Sequence, residues 1–382
     1  MSALISQVWR VNVATMLFFT MIQVVVPLIP RYALTISASP FLIGLAVSSI
    51  SFTAIFLRPV SGFLSDAWLR SRLMLLGLAL GSAAYLVLFI STDIYQVLIG
   101  RLLEGAGVAL FVPSSMASAV DQAPEGKVGE TLGWRSLMIG LGFTIGPALG
   151  GLLAETFGYT ATFGITALLI LLLVPLVLYR EPRKEKVSLS VSIRGLSERH
   201  FVVAFISLVV YAVAWMGLLT FLSAYLKIIG YGDLQIGLFV SIQAISSLAL
   251  RILAGKAADK NPALMTYLGL LLISSAFFLI ALNQEPIYLY IDALIFGLGI
   301  GVFVPGSQTL ALSHAHAGSR GFLSSIYTMG MDIGNMLGPL IFGAVVQASG
   351  SYQESFMIAP VLTFIAALVV LVPERFGRLK KN

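Results

Sequence analysis

The chain contains twelve apolar runs that approach or exceed the length of a membrane-spanning helix. A helix needs about 20 apolar residues to cross a hydrocarbon core about 30 Å thick. Because backbone groups in lipid must be satisfied within the chain, only helices or a closed barrel can span it, and barrel strands alternate over about ten residues. These runs are continuous, so the sequence predicts an all-α membrane protein with twelve transmembrane helices. The runs cover residues 11–34, 41–65, 73–91, 94–119, 131–154, 160–179, 201–227, 235–256, 264–282, 287–312, 321–347 and 352–373.

Composition supports this class and excludes several chemistries. Hydrophobic residues make up 58% of the chain and charged residues 10%, whereas soluble domains are about a quarter charged. The chain has no cysteine, which excludes disulfides and thiol chemistry. It also lacks the H-E-x-x-H and G-x-x-x-x-G-K-[ST] patterns and a soluble domain that could hold a nucleotide. We therefore expect no enzyme, no cofactor and no bound metal.

Basic residues gather in alternate connections between the runs. One side, which includes Arg10, the central stretch Arg180–His200 and the tail after Pro373, holds 17 of the 23 lysines and arginines. Positive residues stay in the cytoplasm, so both termini and the central loop are predicted to be cytoplasmic and the protein to lie in the inner membrane. Topology and contact with anionic lipid account for these charges, and we expect no nucleic-acid partner.

The two halves of the chain repeat one another. The stretch IFLRPVSGFLSD is answered 193 residues later by LALRILAGKAAD, and Gly146-Pro147 is answered 192 residues later by Gly338-Pro339. Repeats of this kind are used by transporters that rock about a central site. We therefore predict two parallel six-helix bundles, residues 1–180 and 201–382, joined by a cytoplasmic linker at 181–200.

The repeated stretch predicts a cytoplasmic gate. Asp66 can pair with Arg70 or face the positive N-terminus of another helix, and Gly62 lets a neighbouring helix approach closely. The alternative is that these charges only set topology and complement helix ends. Recurrence of an expensive buried charge favours the gate. The gate residues are Arg58, Gly62, Asp66, Arg70, Arg251, Gly255 and Asp259.

Three stretches carry a resemblance to a known family. GFLSDAWLRSR (62–72) resembles the loop motif between the second and third helices of the major facilitator superfamily, and LIGRLLEGAG (98–107) resembles its fourth-helix arginine motif. GLGFTIGPALGG (140–151) is similar to the fifth-helix motif of its proton-coupled drug exporters. The resemblance covers all twelve spans and implies the two-bundle fold of this superfamily, with the fifth-helix motif packing the halves together on the outer side. The alternative is ordinary packing of a glycine-rich helix. The motif residues are Gly142, Gly146, Pro147, Gly150 and Gly151.

Ionisable residues within the spans are candidates for proton coupling. Asp332 lies about 16 Å along its span from Gly321, close to the midplane, and a carboxyl at that depth is a candidate to load and release a proton. Arg101 and Glu104 stand at i and i+3 and can pair. We leave open whether this pair is structural or takes part in coupling.

Polar residues within the spans are candidates to line a substrate cavity, although each could instead bond two helices together. They are Asn12, Gln23, Tyr211, Trp215, Gln243, Gln308 and Asn335.

These features predict a secondary transporter that exports small amphipathic or drug-like compounds in exchange for protons by alternating access. The expected partners are a small-molecule substrate, protons and the lipid bilayer, and we expect the protein to function as a monomer. A carrier for one sugar, amino acid or lipid is the alternative, and a channel is less favoured because the charged repeat suits alternating access better than a fixed pore.

Overall fold

The computed structural model describes the backbone of residues 2–67, 70–123, 128–179, 196–313 and 320–379. Side chains are described for all of these except 2–7, 58–60, 62–67, 128–130, 252, 320–322, 325 and 371–379. The described chain is built from α-helices with short connections, and no β-strand occurs in it. The helices are α1 (Ser2–Val25), α2 (Leu28–Thr35), α3 (Pro40–Ala67), α4 (Arg70–Phe89), α5 (Ile94–Asp121), α6 (Val128–Phe157), α7 (Tyr159–Leu171), α8 (Val174–Val177), α9 (Arg199–Ile228), α10 (Asp233–Ala258), α11 (Pro262–Leu282), α12 (Pro286–Leu312), α13 (Arg320–Ser349), α14 (Tyr352–Phe356) and α15 (Ile358–Leu379).

Twelve segments of the described chain are long and apolar enough to cross a membrane, which confirms the predicted class and number of spans. Three spans consist of two helices each: α1 with α2, α7 with α8, and α14 with α15. Each break lies next to a proline, namely Pro27 before α2, Pro175 in α8 and Pro360 in α15. Proline has no amide hydrogen to donate within a helix and bends the chain. Hydropathy alone shows one continuous run at each of these places.

Side-chain caps begin several of the helices. The Asp93 carboxylate accepts hydrogen bonds from the amides of Tyr95 and Gln96 at the start of α5, at 2.8 and 3.0 Å. Asn261 Oδ1 accepts from the Leu264 amide at 3.0 Å at the start of α11. These caps satisfy amides that have no partner in the first turn of a helix, so the helix starts are encoded locally.

Two glycines lie in very short connections between spans. Gly158 joins α6 to α7 with φ +84°, and Gly350 follows α13 with φ +70°. Glycine adopts this left-handed conformation without the steric cost that a Cβ would bring. The two positions are 192 residues apart, so the internal repeat extends to the backbone conformation of its turns.

The described chain forms two compact units. The first contains the residues up to 179 together with Lys227–Ser241, and the second contains residues 196–226 and those from 242 onward. In the first unit α4 packs on α5 and α7, α3 packs on α5, and α1 packs on α6. In the second unit α11 packs on α12 and α15. The division at 1–180, 181–200 and 201–382 stays a prediction.

Large apolar side chains lie on the outside of the helices. Phe56, Ile90, Leu168 and Leu172 are each more than 60% exposed. In water such side chains would oppose folding, because burying apolar surface is the main favourable contribution to it. In a bilayer they face hydrocarbon at no such cost. The surface therefore agrees with a protein that spans the membrane.

Candidate functional site

A buried ion pair lies in the first half of α5. Arg101 and Glu104 are fully buried, and Arg101 Nη1 lies 2.5 Å from Glu104 Oε2. Tyr85 of α4 donates its hydroxyl hydrogen to Glu104 Oε1 at 3.2 Å, and Arg101 Nε donates to Ala46 O at 3.4 Å. The i, i+3 spacing already indicated that the two side chains could pair. Tyr85 was not among the sequence candidates, since nothing local in the sequence links α4 to α5.

Asp332 and Asn335 share one face of α13. The Asp332 side chain is buried, and Asn335 is half-buried. Asp332 lies twelve residues from the start of the helix at Arg320, which is about 18 Å along its axis. Asn335 Oδ1 is buried and accepts no hydrogen bond from the described residues. A carboxyl is therefore held at depth in a transmembrane helix, next to an amide with unused hydrogen-bonding capacity.

Of the gate residues in the first copy of the charged repeat, only Arg70 has a described side chain. The side chains of Arg58, Gly62 and Asp66 lie outside the described residues. Arg70, at the start of α4, forms an ion pair with Asp121 and donates to Ala117 O at 2.9 Å. Both partners lie in the last turns of α5, where carbonyl groups carry partial negative charge. Arg70 thus fastens α4 to the C-terminal end of α5.

The second copy of the charged repeat is described in full. Arg251 is half-buried, and its Nε has no hydrogen-bond partner among the described residues. Asp259 is exposed, and no ion pair joins it to Arg251 in the described chain. A Cβ at Gly255 would meet no described atom within 4 Å. The gate role of this second copy stays a prediction.

Glycines give α6 two close-packing faces. A Cβ added at Gly142 would lie 2.9 Å from Met16 O, and one at Gly146 would lie 2.8 Å from Thr20 O, so α1 approaches at backbone contact. Gly150 continues this face against Val24. Small residues at this spacing let helix backbones touch.

The second face of α6 contacts the first half of α10. A Cβ at Gly151 would touch the Asp233 carbonyl, and one at Gly237 would touch the Pro147 carbonyl. The amide of Ala148 donates to Ser241 Oγ at 3.1 Å. These contacts hold Lys227–Ser241 within the first unit.

The polar candidates for a cavity differ in burial. Asn12, Tyr211 and Gln243 are buried, Gln23 and Trp215 are half-buried, and Gln308 is exposed. The rings of Tyr211 and Trp215 are stacked with centroids 6.0 Å apart. Like Asn335 Oδ1, the buried atoms Asn12 Oδ1, Trp215 Nε1 and Gln243 Oε1 have no hydrogen-bond partner among the described residues.

A charged cluster that sequence reasoning missed surrounds the start of α10. Arg31 is fully buried, and its Nη1 donates to Asp233 Oδ1 at 2.8 Å and to the Asp233 carbonyl at 3.1 Å. Asp233 also accepts from the Tyr159 hydroxyl at 2.9 Å and from Lys227 Nζ at 2.7 Å. Glu155 Oε2 accepts from the Leu234 amide at 2.9 Å. The sequence shows these residues only as isolated charges near span ends.

No group of three or more His, Asp or Glu side chains in the described part of the chain is arranged to hold a metal ion.

Comparison with known proteins places this arrangement among transporters. A family model described as Major Facilitator Superfamily matches residues 11–334. The chain is 31% identical over 339 residues to the multidrug resistance protein MdtG of Dickeya zeae strain Ech586, covering 84% of this chain and 82% of that protein.

Two solved structures share the fold. A bacterial homolog to the human lysosomal transporter Spinster, in an inward-facing and occupied conformation, superposes with a TM-score of 0.83 at 15% identity, covering 96% of each chain. The nucleoside transporter NupG, in a mutant form, superposes with a TM-score of 0.79 at 16% identity, covering 96% of this chain and 99% of that one.

Proposed function

The chain belongs to the major facilitator superfamily, and from that premise we propose that it exports small amphipathic or drug-like compounds in exchange for protons. It is a multi-pass membrane transporter and not an enzyme. The similarity to a protein named for multidrug resistance supports export of such compounds. The contacts of the α6 glycines support the assignment of that helix to the exporter motif.

One observation carries the proton coupling. The Asp332 carboxyl is buried within a transmembrane helix, about 18 Å from its start. A charge at this depth is costly, and ionisable residues there mark proton or ion pathways. Asp332 would gain a proton from one side of the membrane and release it to the other as the protein changes state. Glu104, already paired with Arg101, is the second candidate.

The coupling is tested by proton movement in everted vesicles. Vesicles that contain the protein are energised by respiration, and a pH-sensitive dye reports proton release when amphipathic compounds of either charge are added. Export in exchange for protons discharges the gradient for the wild type but not for Asp332→Asn. Glu354→Gln serves as the control, because Glu354 is an exposed carboxyl in the first turn of α14. Equal discharge by Asp332→Asn and the wild type removes Asp332 from coupling.

The same vesicles separate the proposal from its alternative. Amino acids, sugars and lipids are added one class at a time. A response confined to one metabolite class, without any response to amphipathic drugs, would replace the exporter with a narrow carrier. The superfamily assignment stands under either result, since it does not depend on the substrate.

We also propose that both termini are cytoplasmic and that the protein works as a monomer in the inner membrane. The absence of cysteine makes orientation measurable with single introduced thiols. Thr92→Cys, in the exposed connection before α5, should react with an impermeant maleimide in intact cells. Lys260→Cys, exposed between α10 and α11, should react only in everted vesicles. The reverse pattern would invert the topology.

A further inference from the structure

Arg135 is a buried cation whose described partners are all neutral. It lies on α6 and is 4% exposed. Its Nη1 donates to Thr15 Oγ1 on α1 at 2.8 Å, and its Nη2 donates to Ser115 Oγ on α5 at 2.9 Å and to Val112 O at 3.4 Å. No carboxylate of the described residues lies within ion-pair distance of it. The hydroxyls orient the guanidinium without neutralising its charge.

The two other buried arginines among the described side chains of the first unit behave differently. Arg31 is paired with Asp233, and Arg101 is paired with Glu104. A buried charge is strongly disfavoured unless an opposite charge compensates it. Arg135 therefore carries a cost that the chain avoids at the two comparable positions, and a cost of this kind in a transmembrane segment points to a function.

The internal repeat shows that the fold does not require a cation at this position. The repeat offset of 192 relates Arg135 to Tyr327 and Ser115 to Ser307. In the second unit the Tyr327 hydroxyl donates to Ser307 Oγ at 2.9 Å. The same pair of positions is thus joined by a neutral hydrogen bond in one unit and by a charged one in the other. Packing alone does not explain the charge of Arg135.

A second polar group, one helical turn along α1 from the Thr15 hydroxyl that Arg135 contacts, has unused hydrogen-bonding capacity. Asn12 lies three residues before Thr15, on the same face of α1. Its side chain is buried, and its Oδ1 accepts no hydrogen bond from the described residues. An asparagine amide can turn to present its NH₂ group as a donor. Asn12 thus offers a further donor one helical turn along α1 from the hydroxyl that Arg135 contacts.

An apolar surface continues from this place along the same two helices. Phe19 is one turn beyond Thr15 on α1, and Phe143 is about 12 Å beyond Arg135 on α6. Both side chains are half-buried, and their ring centroids are 5.8 Å apart. A molecule bound here would meet a positive group at one end and aromatic surface at the other.

We propose that Arg135 binds the anionic headgroup, a carboxylate or a phosphate, of the amphipathic molecule that the protein transports. Arginine suits this role because its planar donors match the oxygens of such groups. The ligand supplies the negative charge that the described chain does not provide at this position. The proposal rests on the proposed function and names the charge that its substrate carries.

Equilibrium binding tests the proposal without a proton gradient. The full chain is purified in neutral maltoside micelles, and its melting temperature is measured with octyl phosphate, octanoate, octanol or octyltrimethylammonium. A ligand that binds the folded protein raises its melting temperature. We expect the two anions to stabilise the wild type and the cation not to do so. Stabilisation by octyltrimethylammonium but not by the anions would overturn the proposal with no variant needed.

Variants of Arg135 assign the effect to this side chain. Arg135→Tyr installs the residue found at position 327 and should weaken octyl phosphate binding at least about tenfold, the loss expected when a charged hydrogen bond is removed. Its melting temperature without ligand should equal or exceed that of the wild type, because an uncompensated charge is removed. Arg135→Lys should keep part of the anion preference.

Two results from the variants would refute the proposal. One is unchanged octyl phosphate binding by Arg135→Tyr. The other is a large fall in its melting temperature without ligand, which would make Arg135 structural. Neither result depends on transport, so export that does not require Asp332 would refute the coupling and leave this binding preference intact. A chain that exports by proton exchange but prefers cations would refute only the present inference.

Discussion

Arg31 and Asp233 are 202 residues apart in sequence and form a buried ion pair at 2.8 Å. Asp233 is the first residue of α10, where the helix N-terminus also favours a negative charge. Lys227 and Tyr159 complete the hydrogen bonds to its carboxylate. Arg31 has no other carboxylate partner in the described chain. Asp233 is therefore its only described countercharge.

Removing one member of this pair should be costly. Asp233→Asn leaves the Arg31 guanidinium buried without a countercharge, a loss of about 3–5 kcal/mol for a buried pair. We expect a clear fall in the melting temperature of the purified protein. The double variant Arg31→Leu with Asp233→Leu should melt closer to the wild type, since the buried guanidinium is removed with its partner and only Lys227, whose side chain is 34% exposed, loses its countercharge. A double variant less stable than Asp233→Asn would contradict this account.

The close contact between α6 and α1 predicts a contrast between two glycines of one helix. Gly146→Ala forces a methyl group to within 2.8 Å of Thr20 O, and α1 must move. Gly133→Ala adds the same methyl group where no described atom lies within 4 Å, and alanine in a helix gains about 0.5–1 kcal/mol over glycine. The first change should lower the melting temperature, and the second should leave it equal or higher. Similar effects of both changes would argue against glycine-mediated packing.

The Arg101–Glu104 pair can be assigned to structure or to coupling by one comparison. Arg101→Met leaves Glu104 buried without its cation and should abolish export and lower stability. Arg101→Met with Glu104→Met removes both charges and should recover most of the stability. If the double variant also discharges a proton gradient with substrate, the pair is structural. If it is stable but inactive, the pair takes part in the transport cycle.

Tyr85 should contribute to this site through its hydroxyl group alone. Tyr85→Phe keeps the ring and leaves Glu104 Oε1 without its hydrogen bond from α4. A buried acceptor that loses its partner costs about 1–3 kcal/mol. The melting temperature should fall in the wild-type background and hardly change when Arg101 and Glu104 are both methionine. An equal fall in both backgrounds would place the effect in packing of the ring.

The Arg70–Asp121 pair is partly exposed and should matter less. Its side chains are 17% and 25% exposed, and pairs of this kind contribute about 0–1 kcal/mol. Asp121→Asn should lower the melting temperature only slightly, and the difference should shrink at high salt because exposed charges are screened. A loss as large as that of Asp233→Asn would mean that the α4–α5 junction needs this charge to fold.

The sequence predicts features that are local or periodic. Each apolar run corresponds to one of the twelve spans, and Arg101 and Glu104 are close because they lie one helical turn apart. Contacts between residues far apart in the sequence follow no such pattern. Residue spacing therefore predicts neither the contact of Arg31 with Asp233 nor the contact of Tyr85 with Glu104. The break at Pro27 was equally hidden, since proline interrupts the helix without interrupting hydropathy. The roles of Asp332, Arg101, Glu104 and the repeated charged motif remain predictions.

The single residue that separates α6 from α7 has a consequence for biogenesis. Gly158 turns the chain back after Phe157, and Tyr159 already begins the next helix. Because one residue separates the two helices, we expect α6 and α7 to enter the bilayer as one helical hairpin. A substitution at residue 158, where a side chain is strained by the positive φ, should therefore impair insertion during synthesis, before any transport activity exists.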